Sequence, residues 1–432
     1  MGDARRPPSP PLPDAGPFRR AFWRSPLRGP WLASILSSAL LPLIAICALT
    51  GFLSHAAYDP DLGGNSLFDE GVDLYFFSWP AGPAWLYAVT QGLHIISGLA
   101  AIPILLAKLW AVIPQLWERP AVRSAAHGVE RLGLAVLVGG SLFVFATGVL
   151  NIQLYYPFGF SFVPAHYYGA FVFLGALALH VAVKIRVARR AFRERGVTAP
   201  LRDDLEHTEP EPPLDGLHTT APESPAPPTM TRRLLLGTVG AGSVGLGLMG
   251  TGQVVGGPLR DLALLAPRGE GFGDGPNDFQ VNKTFDSVGI PMEKVGPGWR
   301  LRLEVDGERR ASLAREELLE LALITASLPI ACVEGWSTTQ SWTGVRISEL
   351  ARLAGVRDAV EMEARSAQSS GAFRRATLNR GQVDADDSML ALRVNGADLS
   401  LDHGFPARLI VPALPGVHCT KWVGKLVFKE RA

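Results

Sequence analysis

The chain has 432 residues with 41 basic and 40 acidic side chains, a formal net charge of +1. That length is a soft prior for two or three domains, and near-neutrality excludes a global field aimed at nucleic acid. Only 19% of residues are charged and the mean hydropathy is +0.18, which points to membrane segments, while three cysteines (Cys47, Cys332 and Cys419) are too few for a disulfide framework.

Residues 1–30 are rich in proline and arginine and read as disordered; they carry Arg5, Arg6, Arg19, Arg20, Arg24 and Arg28. Apolar stretches follow at roughly 31–54, 83–113, 128–150 and 164–186, each meeting the ~20-residue requirement for a spanning helix. The charges between them alternate. Segment 54–82 has Asp59, Asp61, Asp69, Glu70 and Asp73 and no Lys or Arg, whereas the next connection has Lys108, Arg119, Arg123 and Arg131. Segment 151–165 is uncharged, and Lys184 to Arg195 is strongly basic. By the positive-inside rule the N-terminus is cytoplasmic and four helices, residues 31–195, bring the chain back there.

Residues 196–230, with eight prolines and seven acids, read as a linker. A weakly apolar run over 231–257 follows, opening on Thr231-Arg232-Arg233 and holding nine glycines. It is long enough to span. It resembles an internal twin-arginine signal anchor, and it equally reads as an ordinary fifth helix with two inner-side arginines. Both readings put residues 258–432 outside the cytoplasm. There the pattern changes to short alternating strands. Leu301–Val305 and Arg408–Val411 read as strands, and Leu313–Leu328 and Ile347–Ala354 as helices, giving a mixed α+β domain.

Histidines inside apolar segments are costly and functional by default. His94 lies on the second helix, and His166 and His180 on the fourth, fourteen residues apart. That separation is ~21 Å of rise on nearly one helix face. It suits two haem irons stacked across a bilayer, each taking a neutral imidazole. The arrangement, with His94-Ile-Ile-Ser-Gly98, resembles the di-haem b-type cytochrome subunits of membrane formate dehydrogenases and hydrogenases. Depth pairs His94 with His166; His180 has His127 or His55 as candidate partner, so one or two haems b are expected.

Cys332 sits in Leu-Pro-Ile-Ala-Cys-Val-Glu-Gly-Trp-Ser, followed by Trp342-Thr-Gly344. A thiolate is a soft metal ligand. The segment resembles the molybdenum-ligand segment of the sulfite oxidase superfamily, most nearly in the form of the periplasmic methionine-sulfoxide reductase catalytic subunits. Asn277-Asp278-Phe279, Ser366, His403-Gly404-Phe405-Pro406-Ala407-Arg408 and Lys421-Trp422-Val423 resemble further family segments in order. The resemblance implies that Cys332 binds molybdenum and that Asn277, Ser366, His403, Arg408 and Lys421 hold a molybdopterin. Arginine and lysine suit its phosphate tail by charge-assisted hydrogen bonds. Cys419 either lines the pocket or is a buried thiol. Sulfite oxidases use an active-site tyrosine, and this domain has none, since all seven tyrosines lie at or before Tyr168. The chain also ends ten residues after Trp422. Both points favour the reductase type.

The expected architecture is therefore a multi-domain chain. An all-α four-helix transmembrane haem bundle and a fifth anchor helix precede an α+β sulfite-oxidase-type molybdopterin domain. The expected protein is a multi-pass plasma-membrane oxidoreductase, inserted with the twin-arginine and general membrane machinery. It passes electrons from quinol through haem b to an extracytoplasmic S- or N-oxide. Competing readings are a sulfite or small-sulfur dehydrogenase reducing quinone, the same enzyme without haem, and a non-catalytic pterin-binding membrane module. No nucleic acid is expected as a partner.

Overall fold

A computed structural model of the protein describes residues 16–58, 77–117, 124–211, 220–222, 224–267 and 273–430. Arg5, Arg6, the acids Asp59 to Asp73, Arg119, Arg123 and His218 lie outside them. A helical N-terminal region is followed by an α+β sheet domain. Its long helices are α1 (Pro30–Ala57), α2 (Leu86–Leu116), α3 (Ala125–Ile152), α4 (Phe162–Arg195) and α5 (Arg232–Val255). All five are long and apolar enough to cross a membrane, α5 being the least apolar. The basic stretch Lys184–Arg195 continues α4 rather than ending it. Pro42 in α1 and Pro103 and Pro114 in α2 are accommodated inside helices, as is common in apolar bundles.

The chain packs as two compact units built from discontinuous segments. Unit 1 comprises Met1–Ala45, Ser97–Ala146 and Tyr168–Gly247. Its core gathers Trp31, Leu36 and Ile44 of α1 with Ile104 of α2 and Phe173 of α4. The segment read as a linker is part of this unit. Glu211 is 3% exposed, and its carboxylate accepts from the Trp31 and Leu32 amides at 2.6 and 3.3 Å. It thereby satisfies two of the donors a helix N-terminus leaves unmade, while Pro30 opens the helix without needing a partner for an N–H. Gly29 has no Cβ because the Glu211 side chain occupies that place. Arg232, the first of the paired arginines, is fully buried; Nη2 donates to the carbonyls of Glu209 (2.7 Å) and Pro26 (3.2 Å), beside Asp203 and Glu211.

Unit 2 comprises Ile46–Ile96, Thr147–Tyr167 and Leu248–Ala432. It contains two sheets. One has the order β2 (Glu308–Ala314), β1 (Arg300–Val305), β10 (Val423–Glu430), β5 (Ala359–Ser366), β6 (Arg375–Asn379), with β1 and β10 parallel and the other pairs antiparallel. The other is antiparallel: β3 (Leu323–Ala331), β4 (Ser337–Arg346), β7 (Met389–Val394) and β8 (Ala397–Asp398), with β9 (Arg408–Ile410) also on β7. Strand β1 buries Leu301, Leu303 and Val305 and exposes Arg300 and Arg302, the period of two expected for a half-buried strand. The helix Ile347–Leu353 is where it was expected.

The expected helix over Leu313–Leu328 is not formed. Its residues make the end of β2, a short helix Arg315–Leu319 and most of β3. Leucine spacing there mimics a helical face, but β3 pairs along its whole length with β4, from Leu323↔Val345 to Ala331↔Ser337. Pairing supplies the backbone bonds that decide the state. Pro329 would break a helix and is tolerated because β3 is an edge strand.

Candidate active site

Cys332 follows the last residue of β3. Its backbone turns sharply: Gly335 N donates to Cys332 O at 3.1 Å, and Cys332 N donates to Trp336 O at 2.8 Å. Gly335 has φ +89°, and a Cβ there would lie 2.6 Å from Ile95 Cδ1, so only glycine fits. The turn aims the Cys332 thiol into a cavity of about 530 Å³ in unit 2. Arg408, at the start of β9, and Lys421, just before β10, face the same cavity, as do Cys419 and Glu334. Residue separations of 76 and 89 between Cys332 and these cations are closed by the sheet order.

Arg408 is 5% exposed and pairs with no carboxylate among the described residues. Its Nε donates to Cys419 O at 3.3 Å and its Nη1 to His403 O at 3.4 Å. Lys421 Nζ donates to the carbonyls of Asp402 (2.6 Å) and Lys283 (2.9 Å). Gly404, at φ +108°, lets the chain pass close to Lys421, whose Cβ lies 3.1 Å from where a glycine Cβ would sit. This explains the glycine of the His403–Arg408 segment.

Burial pushes the Cys332 thiol pKa well up, and Glu334 adds to the rise; a side-chain bond from Asn282 opposes it. Asn282 Nδ2 donates to Cys332 Sγ at 3.1 Å and to Glu334 Oε2, while its Oδ1 accepts from Trp336 Nε1 at 3.0 Å. All three cysteines are free.

Three expected pterin contacts are placed differently. His403 is 1% exposed and does not line the cavity. Its ring stacks on Phe279 at 3.7 Å, and Nε2 lies 2.9 Å from Asn277 O. Burial, then the charges of Arg408 and Lys421, hold its pKa down at about 3, so the ring is neutral. Asn277 spends its side chain on the backbone of Asp398 (2.9 Å) and Ser400 (2.8 Å). Ser366 lies in β5 opposite Val423, and its Oγ accepts from Gln368 N at 3.2 Å; Gln368, not Ser366, lines the cavity. These three residues support the walls, and Asn282 and Gln368 occupy the positions facing inwards. The polar residues Gln280, Asn282 and Lys283 after Phe279 were the available sequence signal for Asn282.

The tyrosine missing from residues 258–432 is supplied from elsewhere. Tyr58, just beyond α1, and Tyr156, in the α3–α4 connection, both line the cavity with Phe160, Phe162 and Phe373. Tyr58 is 4% exposed and packs edge-on to Phe373 at 6.2 Å. Burial raises its phenol pKa well above the usual range, with Cys332 and Glu334 adding. No sequence signal links Tyr58 to a cysteine 274 positions later.

Residues 288–432 match the model of the oxidoreductase molybdopterin binding domain family. The C-terminal domain is a molybdopterin-binding oxidoreductase domain of the sulfite oxidase family. The chain is 27% identical over 167 residues to the protein-methionine-sulfoxide reductase catalytic subunit of Xanthomonas campestris, covering 36% of this chain and 52% of that one. It is 28% identical over 166 residues to the sulfite oxidase of Gallus gallus, covering 32% and 36%. It is 28% identical over 153 residues to an uncharacterized oxidoreductase of Bacillus subtilis, covering 35% and 74%. The chain spans about half or less of the first two relatives.

The family implies a molybdenum pterin, and the cavity fits one. A buried guanidinium without a carboxylate is costly unless an anion reaches it, and a phosphate-bearing pterin provides one. The Cys332 thiol on the same cavity lining is the soft donor a metal would take. Among the described residues no cluster of three or more His, Cys, Asp and Glu competes as a metal site.

The histidines expected at haem divide between the units. In unit 2, His94 and His166 meet edge to face, ring centroids 5.9 Å apart at 89°. His94 Nδ1 donates to Cys47 O at 2.8 Å, and His166 Nδ1 lies 3.1 Å from Thr147 Oγ1. Gly51 and Gly148 lie against the two rings: a Cβ would sit 2.6 Å from His94 Nδ1 or 3.3 Å from His166 Cε1. His55 stacks on Tyr167 at 3.6 Å with rings 6° from parallel. In unit 1, His180 makes no hydrogen bond or ring contact among the described residues, and His127 offers its backbone N–H to Ser124 at 3.2 Å.

Proposed function

We propose that the protein is a membrane-bound molybdopterin oxidoreductase that draws electrons from quinol through haem b and reduces a sulfoxide-type substrate outside the cytoplasm. The observation that carries this is the single cavity uniting Cys332, Arg408 and Lys421 with Tyr58 and Tyr156. When bound, the molybdenum pterin supplies two-electron oxygen-atom chemistry. Arg408 and Lys421 would hold its anionic tail, and Cys332 would ligate the metal. Asn282 fixes the thiol, and the aromatic wall excludes water. Tyr58, protonated throughout the working range, donates a hydrogen bond to the substrate oxygen. The balance is R₂SO + 2e⁻ + 2H⁺ → R₂S + H₂O.

Three further arginines, Arg346, Arg374 and Arg375, lie outside the cavity lining and add no charge for an anion such as sulfite. Arg346 Nε donates to Asp386 O at 2.9 Å, Arg374 Nη1 donates to Ser369 O at 2.6 Å, and Arg375 lies 3.7 Å from Glu363. The lack of a tyrosine in residues 258–432 no longer argues for reduction, because Tyr58 and Tyr156 reach the site from the helical half.

The haem reading rests on His94 and His166. Each Nδ1 is engaged, the arrangement that orients an imidazole to coordinate through Nε2. His180 with His127, both in unit 1, remains the proposed ligand set of a second haem. Alternating loop charge supports a cytoplasmic N-terminus and export of residues 258–432. Arg232-Arg233 supports the twin-arginine route, although the fold also uses Arg232 as a buried anchor.

The test is kinetic, on the purified full chain with metal analysis and a reduced-minus-oxidised spectrum. Methionine sulfoxide is expected to be reduced by a quinol analogue, with b-type bands present. Cys332→Ser is expected to abolish turnover and molybdenum retention. Turnover of sulfite alone would sink the reductase reading, and absent b-type bands would sink the haem reading.

A further inference from the structure

The metal-ligand turn is held by helices of the apolar half, at one particular atom. Val333 O, the carbonyl next to Cys332, accepts two side-chain amides: Gln91 Nε2 at 3.0 Å and Asn151 Nδ2 at 3.3 Å. Gln91 is on α2 and Asn151 on α3. Tyr156 Oη donates to Asn151 Oδ1 at 3.3 Å, which fixes the way that amide points. Two further contacts dock the same turn. Gln253 Nε2 of α5 lies 3.5 Å from Glu334 O, and Ser337 Oγ bonds Val254 O. Ile95 packs against Gly335 so closely that no Cβ fits between them.

Each amide stands one helical turn from a histidine contact. Gln91 precedes His94 by three residues, ~4.5 Å of rise on the same helix. Asn151 follows Thr147 by four, and Thr147 Oγ1 bonds His166 Nδ1. Two independent helices that touch the two imidazoles therefore converge on the peptide next to the metal-ligating cysteine. The Val333 carbonyl thereby has both of its lone pairs engaged, one by each helix.

We propose that Gln91 and Asn151 form an amide clamp that positions the Cys332 turn and carries electrons between the His94–His166 haem and the metal. The proposal rests on the haem reading above. A haem held by His94 and His166 would supply one electron at a time, with α2 and the Gln91–Val333 hydrogen bond as the route; the two electrons and two protons of one sulfoxide reduction would come from quinol. Gln91 and Asn151 are positioning residues, Asn151 doing so from the cavity lining.

The test uses the purified full chain and Gln91→Met, which keeps volume and removes the donor. Haem pre-reduced with dithionite is mixed with methionine sulfoxide, or pre-oxidised haem with sulfite, whichever the wild type turns over. Haem oxidation state is followed by stopped-flow absorbance. Transfer is expected to slow roughly tenfold, the scale of one hydrogen bond in a barrier. Turnover driven by a reduced viologen, which bypasses the haem, is expected to fall by a smaller factor than haem-driven transfer in the same variant, because only the positioning part of the clamp bears on it. Hydrogen exchange of the 332–336 amides is expected to quicken. Asn151→Leu provides a second variant with the same slowing of haem transfer. Unchanged haem transfer in either variant overturns the bridge, as does equal loss with haem and viologen donors. A wild type without b-type bands overturns the haem reading and the bridge with it; a haem-containing wild type whose variants transfer normally overturns the bridge alone.

Discussion

Asn282 is the side chain whose removal tests the site most directly. In Asn282→Leu, volume is nearly kept and three hydrogen bonds are lost: to Cys332 Sγ (3.1 Å), to Glu334 and from Trp336 Nε1 (3.0 Å). Metal binding requires the thiolate, and burial with a neighbouring Glu334 already disfavours it. A hydrogen bond to a charged group contributes about 1.5–3 kcal/mol, so the variant should retain molybdenum roughly 10- to 150-fold less tightly. Trp336 N–H, left buried without its partner, adds a cost of about 1–3 kcal/mol to the folded turn. The assay is molybdenum per chain after incubation with a competing chelator, with tryptophan fluorescence reporting the turn. Asn282→Asp places a second carboxylate beside Glu334 and should be worse. If Asn282→Leu releases molybdenum at the wild-type rate, Asn282 does not stabilise the thiolate and the reasoning fails.

Tyr58→Phe removes one hydroxyl from the cavity and should lower kcat/KM for methionine sulfoxide by about tenfold at unchanged molybdenum content; an unchanged kcat/KM would exclude Tyr58 as the donor. His418 is 1% exposed, beside the Tyr58 carbonyl, and burial holds its pKa at about 4, below the ~6.5 of an unfolded histidine. The unfolded chain therefore binds more protons between those values, so stability is fully present above pH 6.5 and falls as pH drops towards 4, by up to about 3 kcal/mol. His418→Phe should flatten that limb of the thermal-unfolding profile, and an equally steep limb would refute the assignment. Glu211→Ala uncaps α1 and strips a neighbour from buried Arg232, a loss of about 3 kcal/mol read as a lower Tm in detergent. An unaltered Tm would show that the capping bonds contribute nothing net.

Much of the organisation was legible because it depends on local pattern. Apolar runs of ~20 residues identify the five helices to within a few residues, except at the C-terminal end of α4, whose basic tail prolongs it. Strand β1 showed in its alternation. Cys332, Arg408 and Lys421 were legible as family motifs. The helix expected over Leu313–Leu328 was misread because leucine spacing is shared by helices and by strands that bury one face, and only pairing with β4 decides between them. His403, Asn277 and Ser366 were assigned inward-facing roles by motif order, which carries no information about which way a side chain points.

What the sequence alone determined is the inventory: apolar helices followed by an α+β domain of the molybdopterin-binding type, with Cys332, Arg408 and Lys421 on motifs of that domain. Hydrophobic periodicity and motif chemistry act over a few residues and can be read in one dimension. Only the tertiary structure decided that Tyr58 and Tyr156 complete the cavity, that Asn282 holds the thiol, that Glu211 caps α1, and that Gln91 and Asn151 meet at Val333 O. These contacts join residues 180 or more positions apart in most cases. The tyrosine and amide-clamp contacts exist because the segments Ile46–Ile96 and Thr147–Tyr167 pack in one unit with Leu248–Ala432, and the Glu211 cap because residues 168–247 pack with 1–45 in the other, long-range arrangements no local pattern encodes.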